Sequence, residues 1–267
     1  MSRVKLQFYN LDQKPGQDLC LKIPICDVYS GIIDRAVPAI QHIGWRHGTK
    51  GTCYTYIRSI TEQDRRALET LLDLLKNIVC LTITEHLEPH FADQLDEAYA
   101  IDFNFKQEET PLEYTTAGKA EHAAKEEQDM QATKALANCL AKIIEQHPTL
   151  QRADIIAAVP PRPSKKFHLP VALVAGIGAA LKRGTGLNLT KIEHNKLKAL
   201  AIEDKVKTLS GAFTLHESVK GKTILLIDDL YQSGVTLWSL AKFLKERGAK
   251  AVYGLACVKS WSDTDNV

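Results

Sequence analysis

The sequence lacks paired cysteines, although it contains six cysteines in 267 residues. They are scattered along the chain, at positions 20, 26, 53, 80, 139 and 257, and no two of them form a CxxC pair. A zinc ribbon needs two such tight pairs, so the spacing excludes this class of metal site. Isolated cysteines in a chain without a targeting signal are typical of reduced, mostly buried thiols.

Long apolar segments are also missing. No window of about 18 or more consecutive apolar residues occurs, which argues against a membrane-spanning helix. The opening residues MSRVKLQFYN lack the apolar core of a signal peptide. We therefore predict a chain with no membrane partner and a cytoplasmic location.

The formal net charge of +2 conceals an asymmetry between the two halves of the chain. Residues 151–267 carry a net charge of +8, whereas residues 1–150 carry −6. A basic half suits a polyanionic partner such as a phosphate ester or nucleic acid. An ordinary solvated surface with several lysines would give the same numbers, so both interpretations stay open.

The first 110 residues mix strand-like and helix-like patterns. VKLQFYN and VCLTIT favour strands, and EAYAIDFNFK is a further candidate. Between them, TEQDRRALETLLDLLKNI has Thr61 in the position of an N-cap and leucines on one helical face. KQEETPLEYTTAG has the composition of a linker. We predict an N-terminal α+β domain of unknown role over residues 1–110 and a second domain over residues 111–267.

The second half of the chain alternates helices with apolar strands. A helix is predicted over KAEHAAKEEQDMQATKALANCLAKIIEQ, ended by Pro148. RADIIAAVPP, KTILLID and KAVYGLACV favour buried strands, and PVALVAGIGAALK and GVTLWSLAKFLKER favour helices between them. Strands that are apolar throughout predict an α/β fold with a parallel sheet flanked by helices. Such sheets bind ligands at the carboxyl ends of their strands.

Two adjacent aspartates, Asp228 and Asp229, stand at the carboxyl end of the strand KTILLID. A polar turn and a predicted helix follow, and their amide groups would form an anion site suited to phosphate. The hydroxyls of Ser233 and Thr236 can donate to the same phosphate, and Gly234 allows close approach of the backbone. The two carboxylates can accept hydrogen bonds from hydroxyls of the same ligand. The pattern therefore predicts a site for a ribose 5-phosphate group.

The segment ILLIDDLYQSGVT resembles the signature of type I phosphoribosyltransferases that binds 5-phosphoribosyl 1-diphosphate (PRPP). In that family the acidic pair holds the ribose hydroxyls, and the resemblance assigns this role to Asp228 and Asp229. It assigns the 5-phosphate to Gln232, Ser233, Gly234, Val235 and Thr236. The family usually has two Thr or Ser residues before the glycine. Gln232 replaces the first of them, so one hydroxyl is lost while the amide groups remain.

The family's pyrophosphate loop also has a candidate, in DIIAAVPPRPSKKF after the first strand of the domain. The resemblance implies a pyrophosphate site formed by Pro161, Arg162 and Lys165, with further positive charge from Lys166.

The segment NKLKALAIEDKVKTLSGAF lies where the family has a mobile hood that closes over the reacting centre. Its candidates for stabilising the leaving pyrophosphate are Lys196, Lys198, Lys205 and Lys207. The residues do not choose among these lysines. We predict Asp228, Asp229 and Lys198 as the catalytic residues.

Within the family, residues 112–260 look most like the ComF branch, which shares the leading helix and the GAF element before the binding strand. The zinc ribbon that often precedes this domain in ComF-like proteins is missing. The resemblance implies Mg²⁺-dependent transfer of the 5-phosphoribosyl group from PRPP to a nitrogenous acceptor, with release of pyrophosphate. PRPP itself would hold most of the metal's coordination, so no protein ligand is predicted. The acceptor is not identified, and a homodimer is left open.

Other functions stay open as well. A non-catalytic sensor of PRPP or of a nucleotide, or a ComF-like protein that handles nucleic acid, would be compatible with Gln232 and with the unplaced acceptor site. The lysines within residues 191–207 suggest DNA or RNA binding, although no aromatic residues interleave there to stack bases.

Two other motifs are rejected. The GKT at residues 221–223 is not a Walker A motif, because its first glycine would fall on His216 and because GKT precedes a strand. His86 and His90, in HLEPH, are not predicted to bind metal, because Pro89 interrupts the helix that would align them.

Overall fold

The structure is a computed structural model, and it describes residues 3–24, 26–49, 51–106, 112–164, 166–192 and 200–261. The chain divides into two compact units. The N-terminal unit contains residues 4–78 and 143–151, and the C-terminal unit contains residues 1–3, 79–142 and 152–267.

In chain order the strands are β1 (Arg3–Val4), β2 (Asn10–Asp12), β3 (Leu19–Pro24), β4 (Gln41–His42), β5 (Arg46–His47), β6 (Thr52–Arg58), β7 (Val79–Leu81), β8 (Glu97–Phe103), β9 (Ile155–Ala158), β10 (Leu189–Lys191), β11 (Phe213–Leu215), β12 (Thr223–Tyr231) and β13 (Ala251–Lys259). The helices are α1 (Cys26–Ala36), α2 (Glu62–Asn77), α3 (Glu88–Phe91), α4 (Thr116–Glu126), α5 (Met130–Gln146), α6 (Leu169–Leu181), α7 (Ile202–Leu209) and α8 (Val235–Glu246).

The N-terminal unit contains an antiparallel sheet of order β2-β3-β6-β4, with β5 also paired to β6. The Thr61 hydroxyl accepts a hydrogen bond from Asp64 N at 3.1 Å, so the predicted N-cap of α2 is confirmed. The strand predicted over VKLQFYN is wrong in its middle, since β1 and β2 cover only its two ends. Leu6 N donates instead to Leu75 O of α2 at 3.0 Å, which takes this backbone out of strand pairing.

The C-terminal unit contains a six-stranded sheet of order β1-β7-β8-β13-β12-β9. Its strands β8, β13, β12 and β9 are parallel, and β7 pairs antiparallel with β8. Helix α4 packs on β8 and β13, α6 on β9 and β12, and α8 on β12 and β13. The predicted α/β fold, with parallel strands flanked by helices, is thereby confirmed, and it follows from strands such as Ile224 to Ile227 that are buried throughout.

The compact C-terminal unit begins at residue 79, whereas the sequence suggested a domain boundary after residue 110. Strands β7 and β8 precede that predicted boundary and yet belong to the C-terminal sheet. Tyr99 of β8 aligns with Leu255 of β13, which lies far later in the chain. A pairing between such distant segments leaves no mark on local composition, so the limits of the compact unit differ from the boundary that the linker-like segment after Phe103 suggests, and the division into two domains stays a prediction.

The single long helix predicted before Pro148 is two helices, α4 and α5. Gln128 breaks the run with a φ of +55°, and Asp129 starts the second helix by accepting a hydrogen bond from Gln131 N at 2.7 Å. Helix α5 ends at Gln146, as Pro148 predicts. Within the described ranges, no helix combines the length and the apolar character that crossing a bilayer requires.

Candidate functional site

A cavity of about 600 Å³ opens beside the carboxyl ends of β9 and β12 in the C-terminal unit. Its walls come from the last turn of α4, the loop after β9, strand β10, helix α7 and the continuous segment 228–237. The carboxyl ends of the strands form the edge at which parallel sheets bind their ligands.

The cavity brings most of the predicted site residues together. Its lining includes Arg162, Asp228, Asp229, Gln232, Ser233, Gly234, Val235 and Thr236. Pro161 is not part of the lining, although Pro160 and Arg162 are. These two neighbours each precede a proline, which favours an extended backbone, and alternate residues of an extended segment face the same side.

The predicted lysines are only partly covered by the structure. Lys165, Lys196 and Lys198 lie outside the described residues. Of the two remaining hood candidates, Lys205 lines the cavity and Lys207 does not.

The acidic pair lies near the carboxyl end of β12, two residues before Tyr231, and both of its side chains are partly buried. Asp228 Oδ1 accepts a hydrogen bond from Asp229 N at 2.9 Å, and Asp229 Oδ1 accepts one from Leu230 N at 2.8 Å. Burial and the neighbouring Asp229 carboxylate raise the pKa of Asp228 to about 8. The pKa stays high although a neighbouring cation acts against the rise, so Asp228 keeps its proton near neutral pH.

Lys125, in the last turn of α4, supplies such a cation. Its ammonium lies 3.0 Å from Asp229 Oδ2 and 3.1 Å from Glu121 Oε1. Burial opposes the charge of Lys125, but the Asp229 and Glu121 carboxylates raise its pKa above the ordinary value. Sequence reasoning missed this residue because α4 precedes the binding strand by a long stretch of chain. The only local signal was the spacing of four residues between Glu121 and Lys125.

Gly234 closes the turn after β12 with a φ of +83°. A Cβ atom at this position would lie 2.2 Å from Tyr231 Oη, so both conformation and packing demand glycine. Tyr231 Oη also accepts a hydrogen bond from Trp238 Nε1 at 2.9 Å. Helix α8 begins at Val235 without a side-chain cap, so its first amide groups are available at the cavity wall for an anion.

Lys259, the last residue of β13, lies behind this turn and is 1% exposed. Its ammonium donates to Gln232 O at 2.9 Å and to Ser260 O at 3.1 Å. The C=O and N–H of a trans peptide point in opposite directions. Because the Gln232 carbonyl is held inward, the amide of Ser233 is turned toward the cavity that Ser233 lines. Sequence reasoning missed Lys259, since a lysine that ends an apolar strand predicts only a solvated charge.

Two lysines of the segment 191–207 line the cavity and are almost fully buried. Lys191 is 8% exposed and Lys205 is 4% exposed. Burial lowers the pKa of Lys191 to about 8; Arg162 adds to this shift and Asp228 opposes it. These lysines and Arg162 place positive charge in the same cavity as the acidic pair. A second anionic group on the ligand would require such charge.

Comparison with known proteins identifies relatives that share part of this chain. Residues 182–262 match the family model of the phosphoribosyl transferase domain. The chain is 42% identical over 60 residues to the ribose-phosphate pyrophosphokinase of Prochlorococcus marinus subsp. pastoris, which covers 21% of this chain and 18% of that protein. It is 32% identical over 110 residues to the ribose-phosphate pyrophosphokinase of Vibrio parahaemolyticus. This alignment covers 39% of this chain and 33% of that protein. The chain thus spans a third or less of the length of these relatives.

Solved structures give weaker likenesses. The purine phosphoribosyltransferase of Pyrococcus horikoshii has a TM-score of 0.33 at 14% identity, covering 48% of this chain and 72% of its own. The hypoxanthine phosphoribosyltransferase of Staphylococcus aureus has a TM-score of 0.32 at 11% identity, covering 48% and 62%. These scores carry no argument about function. The family match is local: residues 182–262, which contain the acidic pair, the turn that follows it and Lys259, are similar to the phosphoribosyl transferase domain.

Proposed function

We propose that the chain binds PRPP in the cavity and transfers its 5-phosphoribosyl group to a nitrogenous acceptor, with release of pyrophosphate. The observation that carries this proposal is the meeting of two different recognition elements at one wall. The acidic pair offers acceptors for a diol, and the uncapped start of α8 offers donors for a phosphate. A ribose 5-phosphate group presents both features.

In this proposal the residues of β12 and its turn bind the ribose 5-phosphate end. Asp228 and Asp229 accept hydrogen bonds from the ribose hydroxyls. The backbone amides from Gln232 to Thr236 and the hydroxyls of Ser233 and Thr236 donate to the 5-phosphate. Gln232 contributes its backbone and not a hydroxyl, and the hydrogen bond from Lys259 to its carbonyl keeps the turn in shape.

The pyrophosphate end is assigned to the basic side of the cavity. Arg162, Lys191 and Lys205 line it and would stabilise the charge that develops on the leaving group. Lys165 and Lys198 remain proposed contributors on the family resemblance alone, since both lie outside the described residues. The reaction would place positive charge on the ribose carbon, so the protein's part is positioning and charge stabilisation.

We also propose Mg²⁺ as the cofactor, carried by PRPP. Mg²⁺ prefers oxygen ligands, keeps several waters and usually binds together with substrate phosphates. The cavity fits this mode, because its basic side is lined by Arg162, Lys191 and Lys205 and, among the described residues, offers no carboxylate cage that would compete with the phosphates of PRPP for the ion. Across the described ranges, no cluster of three or more His, Cys, Asp or Glu side chains forms a metal cage of its own. The bound ion would neutralise charge on the pyrophosphate.

The test is to incubate the full chain with PRPP, Mg²⁺ and a pool of bases and amines, and to measure pyrophosphate. Release that depends on an acceptor is the expected result. The variant Asp228→Asn/Asp229→Asn should abolish both release and PRPP binding. PRPP binding without turnover would reject the enzyme and leave a PRPP sensor. Binding that survives in the double variant would reject the site.

The names of the curated relatives favour one second candidate. Ribose-phosphate pyrophosphokinase describes pyrophosphate transfer to a ribose phosphate, and the proposed ribose and phosphate contacts would serve that substrate equally well. The assay is incubation with ribose 5-phosphate, ATP and Mg²⁺, followed by measurement of PRPP. Formation of PRPP without phosphoribosyl transfer would select this second candidate.

Nucleic-acid binding through the lysines of residues 191–207 is not favoured. Lys191 and Lys205 lie in the cavity instead of forming an exposed basic face. A steep loss of DNA or RNA affinity with salt would support it after all.

Three finer predictions accompany the proposed function. The likeness to the ComF branch stays a prediction. The homodimer is also a prediction, and analytical ultracentrifugation tests it. A cytoplasmic location is proposed because Cys20, Cys80, Cys139 and Cys257 are thiols outside any disulfide of the described residues, as a reducing compartment would keep them.

A further inference from the structure

Helix α4 is clamped at its start to the end of β8. Thr115 Oγ1 donates to Phe103 O at 2.5 Å and accepts a hydrogen bond from Gly118 N at 2.9 Å. A Cβ atom on Gly118 would lie 1.9 Å from Asn104 O, so only glycine permits this approach. The clamp fixes the axis of α4, and its last turn therefore reaches the cavity in a defined position.

From that last turn, Lys125 reaches the acidic pair. Its ammonium lies 3.0 Å from Asp229 Oδ2, and the two side chains are 22% and 13% exposed. Glu121 Oε1 lies 3.1 Å from the same ammonium. Because Lys125 lines the cavity as well, its charge stands where a ligand of the acidic pair would arrive.

A purely structural role for this ion pair is a weak explanation. Taking two charges out of water costs about as much as their attraction returns, so partly buried ion pairs add little net stability. Their effect on each other's ionisation is larger. The pKa of Asp228 is raised first by burial and then by Asp229, and Lys125 acts against this rise. The charged groups that act on one another here are Asp228, Asp229, Glu121, Glu126, Lys125, Lys191 and Arg162.

We propose that Lys125 is a built-in counter-cation of the acidic pair, which neutralises Asp229 and orients it so that the pair accepts ribose hydroxyls without a divalent metal ion. The proposal rests on the proposed function and makes Lys125 a positioning residue of that site. The proposal gives the two ends of the substrate different requirements for a metal ion. Mg²⁺ would accompany the pyrophosphate of PRPP, whereas the ribose 5-phosphate end would bind through protein charges alone.

The experiment is calorimetric titration of ribose 5-phosphate into the full chain in a buffer that contains EDTA. The wild-type chain should bind. Lys125→Met should bind at least about tenfold more weakly, which corresponds to ~1.4 kcal/mol, and Mg²⁺ should recover part of this loss. Lys125→Arg should stay within a few-fold of the wild type, because it keeps the charge. Lys119→Met changes an exposed lysine of the same helix and serves as the matched control.

Glu121→Gln distinguishes the proposed role from a merely structural one. It removes the negative charge of the helical partner of Lys125 and keeps the contact with Asp229, so ribose 5-phosphate affinity should be retained. Equal losses in Lys125→Met and Glu121→Gln would point to a structural network and overturn the proposal. Wild-type affinity in Lys125→Met, or wild-type binding only with Mg²⁺, would also overturn it. If the wild type binds neither ribose 5-phosphate nor PRPP under any condition, the proposed function itself fails.

Discussion

Replacement of Gly234 by alanine tests the geometry of the turn most directly. Gly234 has a φ of +83°, and an added Cβ atom would lie 2.2 Å from Tyr231 Oη and 2.4 Å from Tyr231 Cζ. Tyr231 is buried and accepts a hydrogen bond from Trp238 Nε1. The new methyl group therefore cannot be accommodated unless the phenol ring moves and this hydrogen bond weakens.

Two terms set the expected loss in the free energy of unfolding. The left-handed conformation costs an alanine about 1–2 kcal/mol. Overpacking against a buried side chain adds about 1–3 kcal/mol. Gly234→Ala should thus destabilise the chain by about 2–5 kcal/mol, and it should weaken ribose 5-phosphate binding, because the turn amides move with the ring.

Gly248→Ala is the matched control. Gly248 has a similar φ of +88°, but its added Cβ atom would meet nothing closer than Lys220 Cγ at 3.4 Å. This variant should lose only the conformational term of about 1–2 kcal/mol and should keep ribose 5-phosphate affinity. Urea unfolding and calorimetric titration measure the two quantities. If Gly234→Ala were no more destabilising than Gly248→Ala, the packing argument would be refuted.

Three further predictions concern the same wall of the cavity. Native Asp228 keeps its proton up to a pKa of about 8, whereas the unfolded chain loses it near 3.8. The free energy of unfolding should therefore fall as pH rises from about 4 to about 8. In urea unfolding, Asp228→Asn should flatten this dependence on pH. An unchanged dependence in the variant would contradict the raised pKa of Asp228. Gln232→Thr should restore the missing hydroxyl and tighten ribose 5-phosphate binding by about tenfold, since a hydrogen bond to a charged group contributes ~1.5 kcal/mol; calorimetry showing weaker binding would count against the assigned phosphate site. Lys259→Met should release the Gln232 carbonyl and weaken ribose 5-phosphate binding by at least about tenfold; full affinity in a folded Lys259→Met chain would show that the lysine does not orient the Ser233 amide.

The adjacent aspartates illustrate how far local sequence reaches. An apolar strand that runs into two carboxylates, a polar turn and a glycine predicts the strand, the turn, the start of α8 and an anion site, because each of these depends on residues close together in the chain. The structure has β12 over Thr223–Tyr231 and α8 over Val235–Glu246, with Gly234 at the junction. What the pattern could not supply is the reason that two like charges are tolerated side by side.

That reason depends on distant residues. Lys125 contacts Asp229 from α4, and Lys259 contacts Gln232 from the end of β13. The same limit explains the boundary of the compact C-terminal unit, since β8 joins the sheet by pairing with β13. The position of Pro161, which is not part of the cavity lining, has a different reason, because which side of a loop faces a cavity depends on backbone direction and not on composition.

The sequence by itself determined the class of fold, the acidic pair, the turn with Gly234 that follows it and the likeness to a phosphoribosyltransferase, since periodicity and a contiguous motif encode them. Only the tertiary structure decided which cations lie beside the acidic pair and its turn. Lys125, Lys191, Lys205 and Lys259 all meet the cavity or its turn, but they come from α4, β10, α7 and β13. Charges act through space and not along the chain, so their partners could be found only once the sheet and its helices had brought these segments together.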